Sequence, residues 1–337
     1  MSKSSYSPPF YEKPPTPPHI ELLLFLEGNG PQPRTMHVLT HALRKTPEQI
    51  LDSVEQLKQR GCVFEENPEH GFKLISIGIE CWVDILEDQV GWPYQRIEVY
   101  RRTESTQNVC KRYAQELGEK AIGTVVIADE QTHGRGRLGR TWNAPPGTAL
   151  LFSFVGHPSI SPDRFSHIIA HDLFEGLSWW IGGKARLSLK WPNDILLEGK
   201  KVAGILIERI NGLPVVGIGI NTHTKQDQFP SDIACTATSF ACRMDPPDRN
   251  FILFSVLSSL KSNCLFSNED SGTAKWERIQ GVWRKHCDML GWPFRFESNG
   301  KQYEGECLDI DIATGLIVRR DTGEIITLPA ATTSVVK

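Results

Sequence analysis

The chain has 337 residues and a formal net charge of −3, from 37 basic and 40 acidic side chains. This length allows two or three domains, and the near-neutral charge provides no global field to attract nucleic acid. The eight cysteines contain no Cys-x-x-Cys pair, so we expect reduced thiols and no metal site. No segment has the character of a membrane span or a signal core, which favours a soluble, cytoplasmic protein.

The N-terminal part divides into a tail and a small domain. Residues 1–19 are rich in Ser, Pro and Tyr and are predicted to form a disordered, Pro-rich tail. Residues 20–80 are predicted to contain three helices and a hairpin, at Ile20–Leu26, near Met36–Leu43, from Pro47 to Gly61, and over Cys62–Phe64 and Phe72–Ile75. This order is typical of a winged helix-turn-helix.

The charge of this small domain argues against strong DNA binding. Residues 21–77 contain six basic and eight acidic side chains, which leaves a net charge of about −2. The third helix carries polar residues on its outer face, as a recognition helix does, but they include Glu48, Asp52 and Glu55. We therefore expect a winged helix that binds DNA weakly or not at all.

After a predicted linker at 78–95, a strand at Arg96–Tyr100 leads into a polar run that includes Ser105, Thr106 and Gln107. This run opens a helix, and hydroxyl and amide groups at that point suit either simple capping or a bound polar ligand. Both interpretations stay open on these residues alone.

The loop from Gly134 to Arg140 contains three glycines and three arginines. Glycine lets backbone N–H groups approach a ligand, and arginine matches carboxylate and phosphate groups. The spacing also satisfies the Gly-x-Gly-x-x-Gly motif of dinucleotide folds, but Pro145, Pro146 and Gly147 exclude the helix that this motif requires. The loop instead joins two strands, and is either a clamp for an anion or a solvated basic loop that could contact nucleic acid.

Downstream, the alternation in 186–191 predicts a strand that places Lys190 at its end, close to Asp194. A hairpin follows, and then a strand with Gly217, Gly219 and Asn221 on one face. Such a face allows either close helix packing or contact with a planar ligand. His167 and His171 lie four residues apart in the predicted helix 163–183, a spacing that could suit a metal, but without a nearby carboxylate motif they are interpreted as ordinary helix histidines.

The remaining sequence is predicted to be helical over 251–290 and then to form about five short strands from Pro293 onward. Turns containing Asn-Gly and Thr-Gly separate these strands. The pattern is typical of a small SH3-like barrel over 290–337.

Three motifs together carry a family resemblance: Gly-Arg-Gly-Arg-x-Gly-Arg at 134–140, Lys-Trp-Pro-Asn-Asp at 190–194 and Lys-x-Ala-Gly-Ile-Leu at 201–206. In this order and with Ser105-Thr106 before them, the chain resembles the bacterial biotin–protein ligases that have an N-terminal winged helix. The resemblance spans about residues 20–330. It implies an α+β fold, with a mixed, mostly antiparallel α/β catalytic domain of the class II synthetase-like kind over 95–285 and an SH3-like domain after it.

The resemblance also implies a reaction in two steps. Biotin and Mg-ATP form biotinyl-5′-AMP, and the biotinyl group then passes to a lysine of the biotin carrier domain of acetyl-CoA carboxylase or another biotin-dependent carboxylase. ATP and Mg²⁺ are the implied cofactors, and no protein metal site is implied. Fixed cations would offset the charge that builds at phosphorus.

Site residues follow from the same resemblance. The biotin set is Ser105, Thr106, Gln107, Gln131, Arg135, Gly136, Arg137 and Lys201, with Gln107 where the family more often has Asn. The ATP and adenylate set is Arg135, Arg137, Arg140, Trp142, Lys190 and Asn221. Lys190, Arg137 and Lys201 are the implied catalytic residues, acting as cations and not as nucleophiles.

The loop is also expected to be a lid, disordered without ligand and ordered over the adenylate, because it has one apolar residue between Gly134 and Arg140. On this hypothesis Arg137→Gly would release biotinyl-AMP. Two alternatives remain: a lipoate–protein ligase of the same catalytic fold, and a DNA-binding repressor of transcription that responds to biotin. Whether the chain forms a homodimer stays open.

Overall fold

The computed structural model describes residues 16–89, 96–158, 161–264 and 273–336. The chain divides into two compact units, Met1–Asp84 and Ile85–Lys337. The first fifteen residues of the predicted tail lie outside the described residues, and helix α1 already begins at Pro18.

The described residues of the first unit begin with three helices, and a two-stranded antiparallel hairpin follows them. The helices and strands are α1 (Pro18–Gly28), α2 (Met36–Leu43), α3 (Pro47–Gln59), β1 (Val63–Asn67) and β2 (Gly71–Ser76). Buried side chains of the three helices, including Leu23, Leu39 and Leu57, form its core. The predicted order of elements in this region is confirmed.

Helix α3 begins where the sequence indicates. The hydroxyl of Thr46 accepts a hydrogen bond from the backbone of Gln49, and the Gln49 side chain accepts one from the Thr46 backbone, which completes a capping box. Pro47 fits the first turn because its missing N–H would have no partner there. These local signals explain why this boundary was predictable.

The second unit is built on a seven-stranded mixed sheet with the order β3-β4-β5-β9-β8-β7-β6. Its strands are β3 (Arg96–Thr103), β4 (Thr124–Gln131), β5 (Ala149–Val155), β6 (Leu187–Lys190), β7 (Asp194–Leu197), β8 (Lys200–Ile210) and β9 (Leu213–Asn221). Only the β3–β4 pairing is parallel among these strands, and the other pairings are antiparallel. The predicted mixed, mostly antiparallel sheet is confirmed.

Four helices accompany this sheet: α5 (Thr106–Leu117), α6 (Pro162–Ile181), α7 (Arg249–Cys264) and α8 (Thr273–His286). Helix α5 connects the parallel strands β3 and β4 and packs against β4, β5 and β9. Its buried face, including Val109 and Cys110, meets Val155 and Val215 in one apolar cluster. This packing fixes the first turn of α5 beside the middle of the sheet.

The end of the chain forms a separate five-stranded antiparallel sheet with the order β13-β12-β11-β10-β14. Its strands are β10 (Pro293–Ser298), β11 (Lys301–Asp311), β12 (Gly315–Arg320), β13 (Ile325–Leu328) and β14 (Thr333–Val336). The apolar residues Phe296, Leu316 and Val318 are fully buried there. The expectation of about five short strands in this region is confirmed.

Two predicted segments differ from the structure. Residues 79–89, assigned to a linker, form a short 3-10 turn at Ile79–Cys81 and helix α4 (Trp82–Gln89), while 90–95 lie outside the described residues. The segment predicted as helical over 251–290 contains two helices, and α8 ends at His286. Helix α4 is short, so periodicity gave little signal for it.

Candidate active site

One cavity of about 940 Å³ in the second unit is lined by every site residue that the sequence predicted. Those residues are Ser105, Thr106, Gln107, Gln131, Arg135, Gly136, Arg137, Arg140, Trp142, Lys190, Lys201 and Asn221. They come from the start of α5, the end of β4, the glycine/arginine loop at 134–140 with Trp142 shortly after it, and strands β6, β8 and β9. Its volume is typical of a site for a nucleotide-sized ligand.

The first turn of α5 presents hydroxyl groups to this cavity. The Oε1 atom of Gln131 accepts from the backbone N–H of Thr106 at 2.7 Å, so Gln131 caps the helix. Ser105 precedes the helix, but its side chain makes no capping hydrogen bond. Its Oγ is buried and has no partner among the described residues. Capping therefore does not account for Ser105, which leaves its hydroxyl for a bound ligand.

The glycine/arginine loop crosses the cavity in a defined conformation. The backbone N–H of Gly136 donates to the Arg140 carbonyl at 2.7 Å, and that of Trp142 donates to the Gly134 carbonyl at 3.0 Å. A side chain at position 134 would meet the Trp142 carbonyl, because an added Cβ would lie 2.3 Å from its oxygen. Glycine is therefore required at position 134 for the loop to fold back on itself.

Arg137 anchors this loop to the C-terminal sheet. Its guanidinium donates to Asn193 Oδ1 at 3.2 Å, to the Ala330 carbonyl at 3.1 Å and to the Thr333 carbonyl at 2.9 Å. Burial lowers the pKa of Arg137, with opposing influence from Asp194. All three acceptors are neutral, so a positive potential remains at this point of the cavity. The composition of the loop did not predict this anchor.

The other two arginines of the loop differ in their surroundings. Arg135 donates to Asn108 Oδ1 at 3.0 Å and forms an ion pair with Glu208 at 3.2 Å. Arg140 is exposed, and no ion pair of its side chain occurs within the described part of the chain. The structure therefore places Arg137 and Arg140 with cationic groups available to an anion, while Arg135 already contacts a carboxylate.

Two lysines stand on neighbouring strands at the same cavity. Lys190 ends β6 and pairs across the ladder with Asp194, the first residue of β7. The Nζ of Lys201 lies 2.6 Å from Asp194 Oδ1, so this carboxylate fixes Lys201. No carboxylate lies within ion-pair distance of the Lys190 Nζ in the described ranges. Lys190 is thus a half-buried cation without a counter-charge.

The glycine face of β9 is covered by planar groups of the chain itself. A Cβ at Gly219 would lie 2.5 Å from the Trp142 indole, and a Cβ at Gly217 would lie 2.7 Å from the Gln107 amide oxygen. Gln107 belongs to α5, so Gly217 permits close helix packing, whereas Gly219 permits contact with a flat ring. Asn221, on the same strand, donates to the Thr238 carbonyl at 3.1 Å. Close helix packing is therefore confirmed at Gly217, whereas a planar ligand on this face stays a prediction, because the ring that covers Gly219 is a side chain of the protein.

Among the polar residues that sequence reasoning missed are Ser153, which lines the cavity, and Glu208, which lies beside it. Ser153 Oγ lies 2.8 Å from Thr106 Oγ1, and Glu208 receives donors from three directions. Ser153 could have been found, because it is the one polar residue in the otherwise apolar strand β5. Glu208 had no signal in the sequence, since an acid near the end of a strand is usually solvated.

The two core histidines have structural partners. The Nε2 of His167 accepts from Trp191 Nε1 at 3.0 Å, and His171 Nδ1 lies 2.9 Å from Asp172 Oδ1. The described residues contain no group of three or more His, Cys, Asp or Glu side chains placed to hold a metal ion. No helix within the described ranges is long and apolar enough to span a membrane.

Comparison with known proteins shows the family of this chain. The model of the biotin/lipoate A/B protein ligase family matches residues 99–224, the range in which all the site residues predicted from the sequence lie. The biotin–(acetyl-CoA-carboxylase) ligase of Paracoccus denitrificans is 30% identical over 245 residues, which cover 68% of this chain and 96% of that protein. This chain belongs to the biotin protein ligase family.

The similarity extends unequally over other family members. The bifunctional ligase/repressor BirA of Bacillus subtilis is 25% identical over 300 residues, covering 85% of this chain and 89% of that protein. For the protein of the same name from Bacillus spizizenii, the match spans 63% of its length at 29% identity. A solved structure, the biotin protein ligase from Aquifex aeolicus in complex with biotin and ATP, has 25% identity and a TM-score of 0.60, covering 72% of this chain and all of that one.

Proposed function

We propose that this chain is a biotin–protein ligase that forms biotinyl-5′-AMP from biotin and Mg-ATP and transfers the biotinyl group to a lysine of a carboxylase carrier domain. The observation that supports this most directly is a cavity whose lining combines unpartnered polar atoms of Ser105 and Gln107 with the cations Arg137, Lys190 and Lys201. The first group suits a polar, neutral head, and the second suits an acid joined to a phosphate.

The cations address the electrostatic difficulty of the first step. The carboxylate of biotin must approach the α-phosphate of ATP, and its oxygen forms a bond to phosphorus while the bond to pyrophosphate breaks. Lys190 has no counter-charge in the described ranges, so its full charge is available to the phosphate oxygens. Lys201 is held in place by Asp194. We assign Lys201 to the carboxylate and Lys190 to the phosphate, both as fixed cations.

Mg²⁺ would be held chiefly by the phosphates of ATP, where it offsets their charge. The residues present fit this arrangement, because Asp232 lines the cavity and Mg²⁺ usually takes only one or two protein carboxylates beside substrate phosphates. The protein itself would orient the two substrates, and the loop anchored by Arg137 would exclude water from the mixed anhydride.

Two unpartnered polar atoms in the lining of the cavity favour biotin over lipoate as substrate. The buried Oγ of Ser105 and Oε1 of Gln107 have no partner among the described residues. A ureido group can hydrogen-bond to them, whereas a dithiolane would leave both atoms unsatisfied at a cost of about 1–3 kcal/mol each. A lipoate–protein ligase is therefore the weaker alternative.

The test is incubation of the full chain with Mg-ATP, a purified biotin carrier domain and either biotin or lipoate, followed by intact-mass analysis. We expect one biotinyl group on the carrier and no lipoyl group. A carrier with its acceptor lysine replaced by arginine should remain unmodified. Lipoylation without biotinylation would overturn the proposal, as would the absence of both products with a carrier that a known ligase modifies.

We further propose that the first unit is a winged helix with weak affinity for DNA and that the C-terminal five-stranded sheet is an SH3-like barrel. We place the corresponding domains at 20–80 and 290–337, flanking the catalytic domain at 95–285. Two lysines of the first unit are already paired: Lys58 Nζ lies 2.5 Å from Glu66, and Lys73 Nζ lies 3.6 Å from Glu65. These pairs reduce the positive charge available to phosphates.

A DNA-binding assay, which probes a repressor role, tests this assignment. Relatives named bifunctional ligase/repressor favour DNA binding, while the acidic first unit opposes it. In a gel-shift assay at modest salt, using DNA from upstream of biotin-synthesis genes, we expect at most weak, salt-sensitive binding by the free chain. Binding that strengthens with biotin and ATP would indicate a ligand-dependent dimer. Tight binding by the free monomer would contradict the proposal.

A further inference from the structure

Glu208 on β8 is surrounded by N–H donors of three side chains. Its Oε1 lies 3.0 Å from Lys111 Nζ and 3.2 Å from Arg135 Nη2, and its Oε2 accepts from Gln107 Nε2 at 3.1 Å. About a quarter of the Glu208 side chain is exposed (25%). Two cations on one oxygen hold the carboxylate in a single orientation, so the other oxygen faces Gln107.

This contact determines which way the Gln107 amide is turned. The Nε2 of Gln107 donates both to Glu208 Oε2 at 3.1 Å and to the Val215 carbonyl at 3.0 Å. Both partners are acceptors only, so the reversed amide would place its oxygen against a carboxylate and a carbonyl. The orientation of the amide is thus fixed by chemistry, and both N–H groups are used.

The remaining atom of the amide is an unsatisfied acceptor. Gln107 is 2% exposed, and its Oε1 is buried with no partner among the described residues. This oxygen lies over Gly217, where any larger residue would displace it, and both residues line the cavity. A ligand at this point gains a hydrogen bond only if it supplies a donor.

We propose that Glu208 is a positioning residue for specificity: it holds Gln107 so that only an acceptor faces the cavity, which selects a head group with an N–H at that point. The inference rests on the proposed function, because the ureido ring of biotin carries two such N–H groups. Glu208 does not touch the ligand itself and acts through Gln107.

The test compares biotin with two isosteric analogues, in each of which one ureido N–H is replaced by CH₂. Dissociation constants are measured calorimetrically for the full-length wild type and for Glu208→Ala, Glu208→Gln and Gln107→Met. The readout is the ratio between analogue and biotin, because all three ligands share the same carboxylate tail. Any general loss of affinity, including one caused by releasing Arg135, cancels in this ratio.

For the wild type we expect at least one analogue to bind about tenfold or more weakly than biotin. For that analogue, the ratio should fall below about threefold in both Gln107→Met and Glu208→Ala. The double variant that combines these two changes should show no further fall, because Glu208 acts through Gln107. Glu208→Gln keeps the shape of the side chain but removes its charge, so the ratio measured for this variant should also fall. Glu116→Gln is the control: Glu116 is an exposed residue of α5, the helix that carries Gln107, and this variant should keep the wild-type ratio.

The outcomes separate the two claims. If the wild type does not bind biotin, the proposed function fails, and this inference fails with it. If the wild type binds biotin but both Glu208 variants keep the tenfold ratio, only the role of Glu208 is overturned. Thermal unfolding shows whether Glu208→Ala folds; should it not, the folded Glu208→Gln variant provides the decisive ratio.

Discussion

Replacement of Lys190 by glutamine is expected to slow formation of biotinyl-AMP about a thousandfold while biotin affinity changes by less than about threefold. Lys190 is the half-buried cation at the end of β6 that has no carboxylate within ion-pair distance in the described ranges. Its charge therefore interacts mainly with charge that develops during the reaction. The rate is measured by pyrophosphate release in a single turnover, and biotin affinity is measured calorimetrically.

Lys184→Gln is the matched control for this prediction. Lys184 is exposed, lies shortly before the same strand and does not line the cavity. The two variants lose the same charge, so a general electrostatic effect would slow both. Similar rates for the two variants would show that Lys190 has no special part in the adenylation step.

Replacement of Arg137 by glycine is expected to increase the dissociation rate of biotinyl-AMP by about a hundredfold. Arg137 contributes three hydrogen bonds, to Asn193, Ala330 and Thr333, and together these connect the loop with two other elements. Loss of several hydrogen bonds made by a charged, half-buried group costs about a few kcal/mol, which is sufficient for such a change. Escaped adenylate should then acylate exposed lysines of any added protein.

Leu138→Gly separates loss of the anchor from added flexibility. Leu138 is 68% exposed in the same loop, so its replacement frees the backbone without removing these hydrogen bonds. Release from Arg137→Gly should be at least about tenfold faster than from Leu138→Gly. Equal release rates would mean that backbone freedom, and not the anchor, controls retention of the adenylate.

Local chemistry made much of this molecule predictable. Thr46 and Pro47 mark the start of a helix by their own hydrogen-bonding properties. The strand that ends at Lys190 follows from alternation, and the prolines after Trp142 excluded a helix at the glycine/arginine loop. Each of these signals involves residues close together in sequence, where the side chain itself determines the backbone conformation.

Long-range contacts were not predictable in the same way. Arg137 is anchored by the carbonyls of Ala330 and Thr333, and a backbone carbonyl has no residue-specific signature. The face of Gly219 predicted a flat neighbour but did not show that this neighbour is Trp142. Glu208 acquires its role from donors about 70 to 100 positions away. Such contacts depend on how the elements pack together.

The central claim is that Lys190, Lys201 and Arg137 surround an acid while it is joined to AMP. The most direct measurement is a crystal structure of the chain with a non-hydrolysable sulfamoyl analogue of biotinyl-AMP. We expect the linking group within hydrogen-bonding distance of the Nζ atoms of both lysines, and the ureido head beside Ser105 and Gln107. A bound analogue that lies outside this cavity and contacts neither lysine would contradict the account.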